Sequence, residues 1–158
     1  MKKTVVAALL LAALPAVASA MDKMAVQPDA LKWGAAPASL PPGAQIAVLT
    51  GDPGKDGPYV VRVRLPAGYK IAPHTHPTAE NVTVLSGTFH IAMGEKFDPK
   101  KGEAVRAGGF FTADKDMQHY GWTTRPAVIQ IHGMGPFAIN YVNPNDDPRN
   151  AKPTAKKQ

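Results

Sequence analysis

Gly68-Tyr69-Lys70-Ile71-Ala72-Pro73-His74-Thr75-His76-Pro77-Thr78-Ala79-Glu80-Asn81-Val82-Thr83-Val84-Leu85-Ser86-Gly87 is the stretch that decides how this 158-residue chain is read. Turn residues bracket it, and Asn81–Leu85 alternates polar and β-branched or apolar side chains as a strand does. His74 and His76 are one residue apart. On a strand, residues i and i+2 share a face. Both imidazoles can then converge on one ion, about 2.0–2.2 Å away if that ion is zinc. Pro77 allows a bend, and Glu80 follows with a carboxylate that partly compensates a divalent charge among neutral imidazoles. His119 comes much later, beyond the turn Asp114-Lys115-Asp116, and must arrive on a different strand. Two sheet segments curving around one site would bring it there.

The surrounding sequence has the same texture. Ile46–Leu49, Tyr59–Leu65, Thr88–Met93, Gly109–Thr112, Tyr120–Trp122, Ala127–His132 and Phe137–Val142 are short β-prone runs. Gly51-Asp52-Pro53-Gly54, Pro66-Ala67-Gly68 and Asp98-Pro99 divide them. Many short strands with close-set turn signals indicate an all-β sandwich or barrel. No stretch carries a helical apolar period, and no internal repeat is present.

The spacing G-x5-H-x-H-x3-E-x6-G over Gly68–Gly87 resembles the first motif of the cupins at every fixed position. The second cupin motif, G-x5-P-x-G-x2-H-x3-N, is similar to Gly108–Thr123 in spacing. There Asp114 stands for the proline, Asp116 for the glycine and Thr123 for the asparagine. The first two are turn positions, which Asp suits. The resemblance implies a double-stranded β-helix, a jelly-roll-like barrel, with His74, His76, Glu80 and His119 as ligands of one divalent metal. Leu31-Lys32-Trp33, Gly51-Asp52-Pro53 and Tyr141-Val142-Asn143-Pro144 are similar to small exported single-domain cupins, a group without an assigned reaction. The family uses iron, manganese, zinc, nickel and copper.

Strand parity assigns further residues. If Ser86-Gly87 closes a two-residue hairpin, Val84 faces Phe89, Val82 faces Ile91 and Glu80 faces Met93. Phe89, Ile91 and Met93 are then expected in the pocket with Glu80, and His90 outside it. If Thr124-Arg125 is a second such turn, His119 faces Gln130. Gln130 and His132 then point inward as neighbours of the metal or contacts for a substrate. A one-residue change in that turn inverts the assignment and leaves His132 incidental. Tyr120 and Trp122 fall on the opposite face, available to the arm or to a second copy in a homodimer. Phe110 and Phe111 are expected in the core.

The chain opens with Lys2-Lys3, an apolar run and Ala18-Ser19-Ala20. That pattern predicts a cleaved signal peptide over 1–20, hence a periplasmic or secreted protein with no membrane segment left after cleavage. Residues 21–45 read as an extended Pro- and Ala-rich arm anchored by Leu31, Trp33 and Leu40. The barrel is expected over 46–145, and 146–158 as a basic disordered tail. With no cysteine in the chain, stability has to come from the core and any bound metal. The formal charge of +6 reflects the ends more than a basic stripe, which argues against a nucleic-acid partner.

An N3O ligand set leaves open positions on most divalent ions, which favours chemistry or ligand binding over a closed structural site. A protein loaded outside the cytoplasm meets metals where intrinsic affinity favours zinc or copper over manganese or iron. Three functions fit. One is a metal-dependent, dioxygenase-like enzyme acting on a small organic molecule. Another is a non-catalytic module that binds or senses metal or a small ligand. The third is a zinc-dependent isomerase or hydrolase.

Overall fold

The computed structural model describes residues 25–151. The predicted signal peptide, the first residues of the arm and the end of the basic tail lie outside them. Eleven strands are present among the described residues, with short single-turn 3-10 segments and no α-helix. They are β1 (Gly34–Ala35), β2 (Gln45–Thr50), β3 (Gly57–Leu65), β4 (Lys70–Thr75), β5 (Glu80–Ser86), β6 (Thr88–Met93), β7 (Glu103–Arg106), β8 (Phe110–Ala113), β9 (His119–Trp122), β10 (Ala127–Gly135) and β11 (Asn140–Tyr141). Two antiparallel sheets result, ordered β1-β2-β3-β10-β5-β8 and β11-β4-β9-β6-β7. This is the all-β jelly roll expected of a cupin.

The alternating strands bury one face each, as a sandwich of two sheets requires. Val61, Val63 and Leu65 of β3 turn inward with Val82 and Val84 of β5 and Ile129 and Ile131 of β10. Phe89 and Ile91 of β6 and Ile71 of β4 close the core from the other sheet. Register aligns these residues in rows across the sheet: Val63, Ile129 and Val84 form one, and Val61, Ile131 and Val82 the next.

Neither expected hairpin forms. After Ser86 the chain crosses from one sheet to the other, so β5 pairs with β10 and β8 while β6 pairs with β9 and β7. Gly87 makes this crossing at φ +74, and a Cβ there would lie 2.4 Å from the Pro126 carbonyl oxygen. Only glycine fits both demands. The step from β9 to β10 likewise changes sheets. Pairing across either turn therefore does not set which side chains face the core. Burial against the opposite sheet does.

Phe89 and Ile91 nevertheless face inward as expected. Met93 shares its register position with His119 but lies at the end of β6, and half of its surface is open to solvent. On β10 the expectation reverses. Ile129 and Ile131 are buried, Gln130 is half-buried and His132 is exposed. Phe110 and Phe111 are strand neighbours and cannot both face inward. Phe111 packs on the core and stacks on Phe89, whereas Phe110 is 56% exposed.

The outer face of the second sheet is covered by its own loop. Tyr120, Trp122 and Ala92 form a small cluster under Phe97, and the Tyr120 hydroxyl donates to the Asp98 carbonyl at 3.0 Å. Trp122 leaves no room for a side chain at Gly102. Within the chain this loop, rather than the arm, is what the two aromatics pack against.

The arm does lie on the barrel. β1 pairs with β2, and Ala36 and Leu40 pack against the core. The Tyr69 hydroxyl donates to the Pro41 carbonyl at 2.5 Å and that of Tyr141 to the Ser39 carbonyl at 2.8 Å. The guanidinium of Arg64 sits 3.8 Å over the Trp33 ring. At the other end, Asn143 and Asp147 cap two 3-10 turns, so structure continues past residue 146.

Candidate metal centre

His74 lies on β4, and a bulge determines its direction. Ile71 is opposite Gly121, but His74 is opposite His119, so one extra residue has entered β4 between them. Without that shift His74 would face away from the core, because a one-residue slip flips every side chain. Pro73 lies within the bulge, where its missing N–H breaks no ladder bond. His76 follows just beyond the strand and Glu80 opens β5.

The ring of each of these histidines is fixed from behind. Nδ1 of His74 lies 2.7 Å from the Ala72 carbonyl oxygen, Nδ1 of His76 2.7 Å from that of Ala138, and Nδ1 of His119 2.9 Å from that of Met117. With the Nδ1 proton donated to a carbonyl, Nε2 is left with its lone pair, the arrangement a metal-binding imidazole uses. One ring nitrogen from each of His74, His76 and His119 lies within 4.8 Å of the other two. The Glu80 carboxylate lies 3.5 Å from Nε2 of His76 and 3.9 Å from Nε2 of His119. Phe137 stacks on His76 with centroids 4.8 Å apart. The backbone N–H of Asp116 donates to the His76 carbonyl at 2.9 Å, tying this ligand segment to the turn before His119.

The electrostatics suit a cation. Burial, together with the imidazoles of His119 and His76, pushes His74 down to about 3. Burial also lowers His119. Glu80 would be raised by burial, but His76, His119 and His74 outweigh that and hold its carboxyl below the ordinary range. Burial would lower His76, but the Glu80 carboxylate outweighs that and raises it. The lowered imidazoles of His74 and His119, beside that carboxylate, are ready donors for a divalent ion. Nε2 of His76 is buried and makes no hydrogen bond. A buried nitrogen without a partner costs free energy unless something coordinates it. The donor set therefore fits a metal.

The altered second motif keeps its geometry. Asp116 adopts φ +60, the left-handed conformation that the motif's glycine would supply and that Asp tolerates better than most residues. Thr123 is almost fully buried. Its hydroxyl donates to the Pro66 carbonyl at 2.6 Å and accepts from the Tyr69 N–H at 3.2 Å, which pins the turn that precedes β4.

The imidazoles and Glu80 occupy one part of a cavity of about 290 Å³ whose remaining wall is mostly aliphatic and aromatic, with Phe89 and Ile91 among its residues. Gln130 and His132 do not reach it. Gln130 accepts from Arg62 Nε at 3.1 Å, and His132 stacks on Phe110 at 6.4 Å. His90 stacks on Trp122 at 5.0 Å, outside the cavity as parity indicated. Sequence reasoning missed Tyr59 and Phe137, which line the cavity. It also missed the backbone acceptor at Ala138, which no side-chain motif could have signalled.

A family model described as the ChrR cupin-like domain matches residues 21–138. No functionally curated protein matches the chain in sequence. Among solved structures, a proposed acetylacetone dioxygenase from Methylibium petroleiphilum PM1 is 18% identical with a TM-score of 0.61, over 89% of this chain and 90% of that one. The polyketide cyclase RemF from Streptomyces resistomycificus is 17% identical with a TM-score of 0.59, over 78% and 88% of the two chains. An RmlC-like cupin from Shewanella frigidimarina NCIMB 400 is 12% identical with a TM-score of 0.55, over 69% and 87%. At such identities these likenesses show a shared fold.

Proposed function

We propose that this chain, which belongs to the ChrR cupin-like domain family, is an exported protein that holds one divalent transition metal and uses it, as a dioxygenase does, on a small organic molecule. The observation that carries this is the convergence of Nε2 atoms from carbonyl-anchored His74, His76 and His119 with the Glu80 carboxylate at a largely apolar cavity. When bound, the metal would supply Lewis acidity and, if redox-active, a means of activating dioxygen. His74, His76, Glu80 and His119 would hold it. The protein's own contribution is to keep His74 and His119 neutral, fix all three rings through backbone carbonyls and exclude bulk water with the aliphatic wall.

Export rests on the amino-terminal pattern of basic residues, apolar run and Ala-x-Ala. Loading outside the cytoplasm favours zinc or copper. Metal analysis of protein recovered from the periplasm without refolding tests both. Full occupancy by iron or manganese would overturn the metal choice, and retention of residues 1–20 would overturn export. Oxygen uptake with phenolic or diketone substrates tests the enzymatic class.

A second reading, a non-catalytic binding module, draws on the same cavity. Apart from the four candidate ligands and Tyr59, its wall offers no ionisable side chain to move a proton. Tight ligand binding without turnover would favour that module.

A further inference from the structure

The chain has four tyrosines, and three of them donate to backbone carbonyls: Tyr69 to Pro41, Tyr120 to Asp98 and Tyr141 to Ser39. Tyr59 is different. Its ring is 2% exposed, and its buried hydroxyl makes no hydrogen bond to any other protein group. A buried phenol normally finds a partner, and leaving one without costs free energy.

Register explains where this hydroxyl is held. Tyr59 on β3 and Glu80 on β5 both lie opposite Gly133 on the strand between them. The central position has no side chain. A Cβ on Gly133 would lie 3.3 Å from the Tyr59 Oη and 3.6 Å from its Cε1. The phenol therefore reaches across Gly133 toward the strand that carries Glu80, on the face that lines the cavity. The same glycine could not become alanine without a 2.9 Å approach to the Ala79 carbonyl.

The rest of the wall limits what can enter. No Lys, Arg, Asn or Gln side chain lines the cavity, so away from the metal end an anionic group finds no counter-ion and a sugar no array of partners. Building on the proposed function, we infer that the site takes a compact, uncharged, mainly hydrocarbon molecule bearing a carbonyl-type oxygen, and that the Tyr59 hydroxyl donates a hydrogen bond to that oxygen. Tyr59 is then the residue that orients the ligand against the metal end, while the aliphatic wall supplies affinity.

The test is calorimetric binding to metal-loaded and metal-free protein with three probes of similar shape: acetophenone, ethylbenzene and benzoate. Metal-loaded wild type is expected to bind acetophenone about tenfold more tightly than ethylbenzene, the worth of one buried hydrogen bond, and the metal-free protein to bind benzoate more weakly than either. Tyr59→Phe is expected to lose that tenfold preference while keeping its ethylbenzene affinity and metal content, which shows that the cavity and fold are intact. Equal acetophenone affinity in the two proteins, preferred binding of benzoate by the metal-free protein, or no binding of either neutral probe by wild type would overturn the inference. The metal reading fails separately. If wild type cannot be loaded yet the metal-free protein retains the Tyr59-dependent preference, the hydroxyl's role stands and the metal centre does not.

Discussion

The described residues hold five histidines in two kinds of place, and the contrast shows what prepares an imidazole to hold a metal in this fold. His74, His76 and His119 are buried inside the barrel, each with Nδ1 on a backbone carbonyl and Nε2 directed into a shared space. His90 and His132 lie on the outer faces and stack on Trp122 and Phe110. The residue type is the same. The inner set has a rigid acceptor behind each ring and a carboxylate within 3.5–3.9 Å of two of them. The outer pair has only an aromatic neighbour. Position relative to the barrel wall, and an acceptor on the far nitrogen, separate the two roles.

The largest expected effect breaks the inner set. His74→Ala or His119→Ala should lower metal content by more than about tenfold, since even supporting contacts to a ligand are worth roughly 10–100-fold. Metal at about 100 times its dissociation constant should stabilise wild type by about 2.7 kcal/mol and these variants far less, as thermal unfolding with and without metal would show. Equal metal retention by His74→Ala, His119→Ala and His90→Ala would refute the ligand assignment.

A comparable effect should separate the two faces of β10. Ile131→Ala removes a core side chain and should destabilise by about 2–4 kcal/mol, whereas Gln130→Ala should stay within about 1 kcal/mol. Denaturant unfolding measures both. Similar losses would mean that Gln130 is buried in solution.

Acid should act through the inner set. His74 titrates near 3 when folded without metal, against an ordinary value of 6.5. Between these values the unfolded chain binds more protons than the folded one, so stability rises with pH across that interval. The contribution is fully present above pH 6.5 and is lost as pH falls toward 3. Unfolding of metal-free wild type across this range should show the trend, and His74→Gln should weaken it. An unchanged profile would remove His74 as its cause.

The smallest effects belong to the outer pair. His90→Ala loses a stacked aromatic contact, worth about 0.5–1.5 kcal/mol, and His132→Ala should change stability by no more than about 0.5 kcal/mol. Both should retain metal fully, as elemental analysis of the purified variants would show.

Much of this was legible in the sequence. The alternation of short β-prone runs indicated an all-β sandwich, and the spacing of His74, His76 and Glu80 was enough to place those side chains together. The two-residue turns misled. They looked like hairpins, yet each carries the chain between sheets. The error was harmless at Phe89 and Ile91 and inverted the faces of Gln130 and His132. Lys70–Ala72, Glu103–Arg106 and Gly34–Ala35 also gave no strong strand signal, because their strands are short or polar.

By itself, then, the sequence determined the local quantities: where the chain turns, which runs are extended, and which polar residues sit at ligand spacing. These depend on backbone preferences and on side chains a few residues apart. Tertiary structure alone decided which sheet each strand joins, because that depends on burying two apolar faces against each other. It also decided that a bulge aims His74 inward, that the Ala138 carbonyl seats His76 from 62 residues away, and that Gly133 leaves room for the Tyr59 hydroxyl. Those outcomes rest on contacts between distant strands, and no spacing within the chain encodes them.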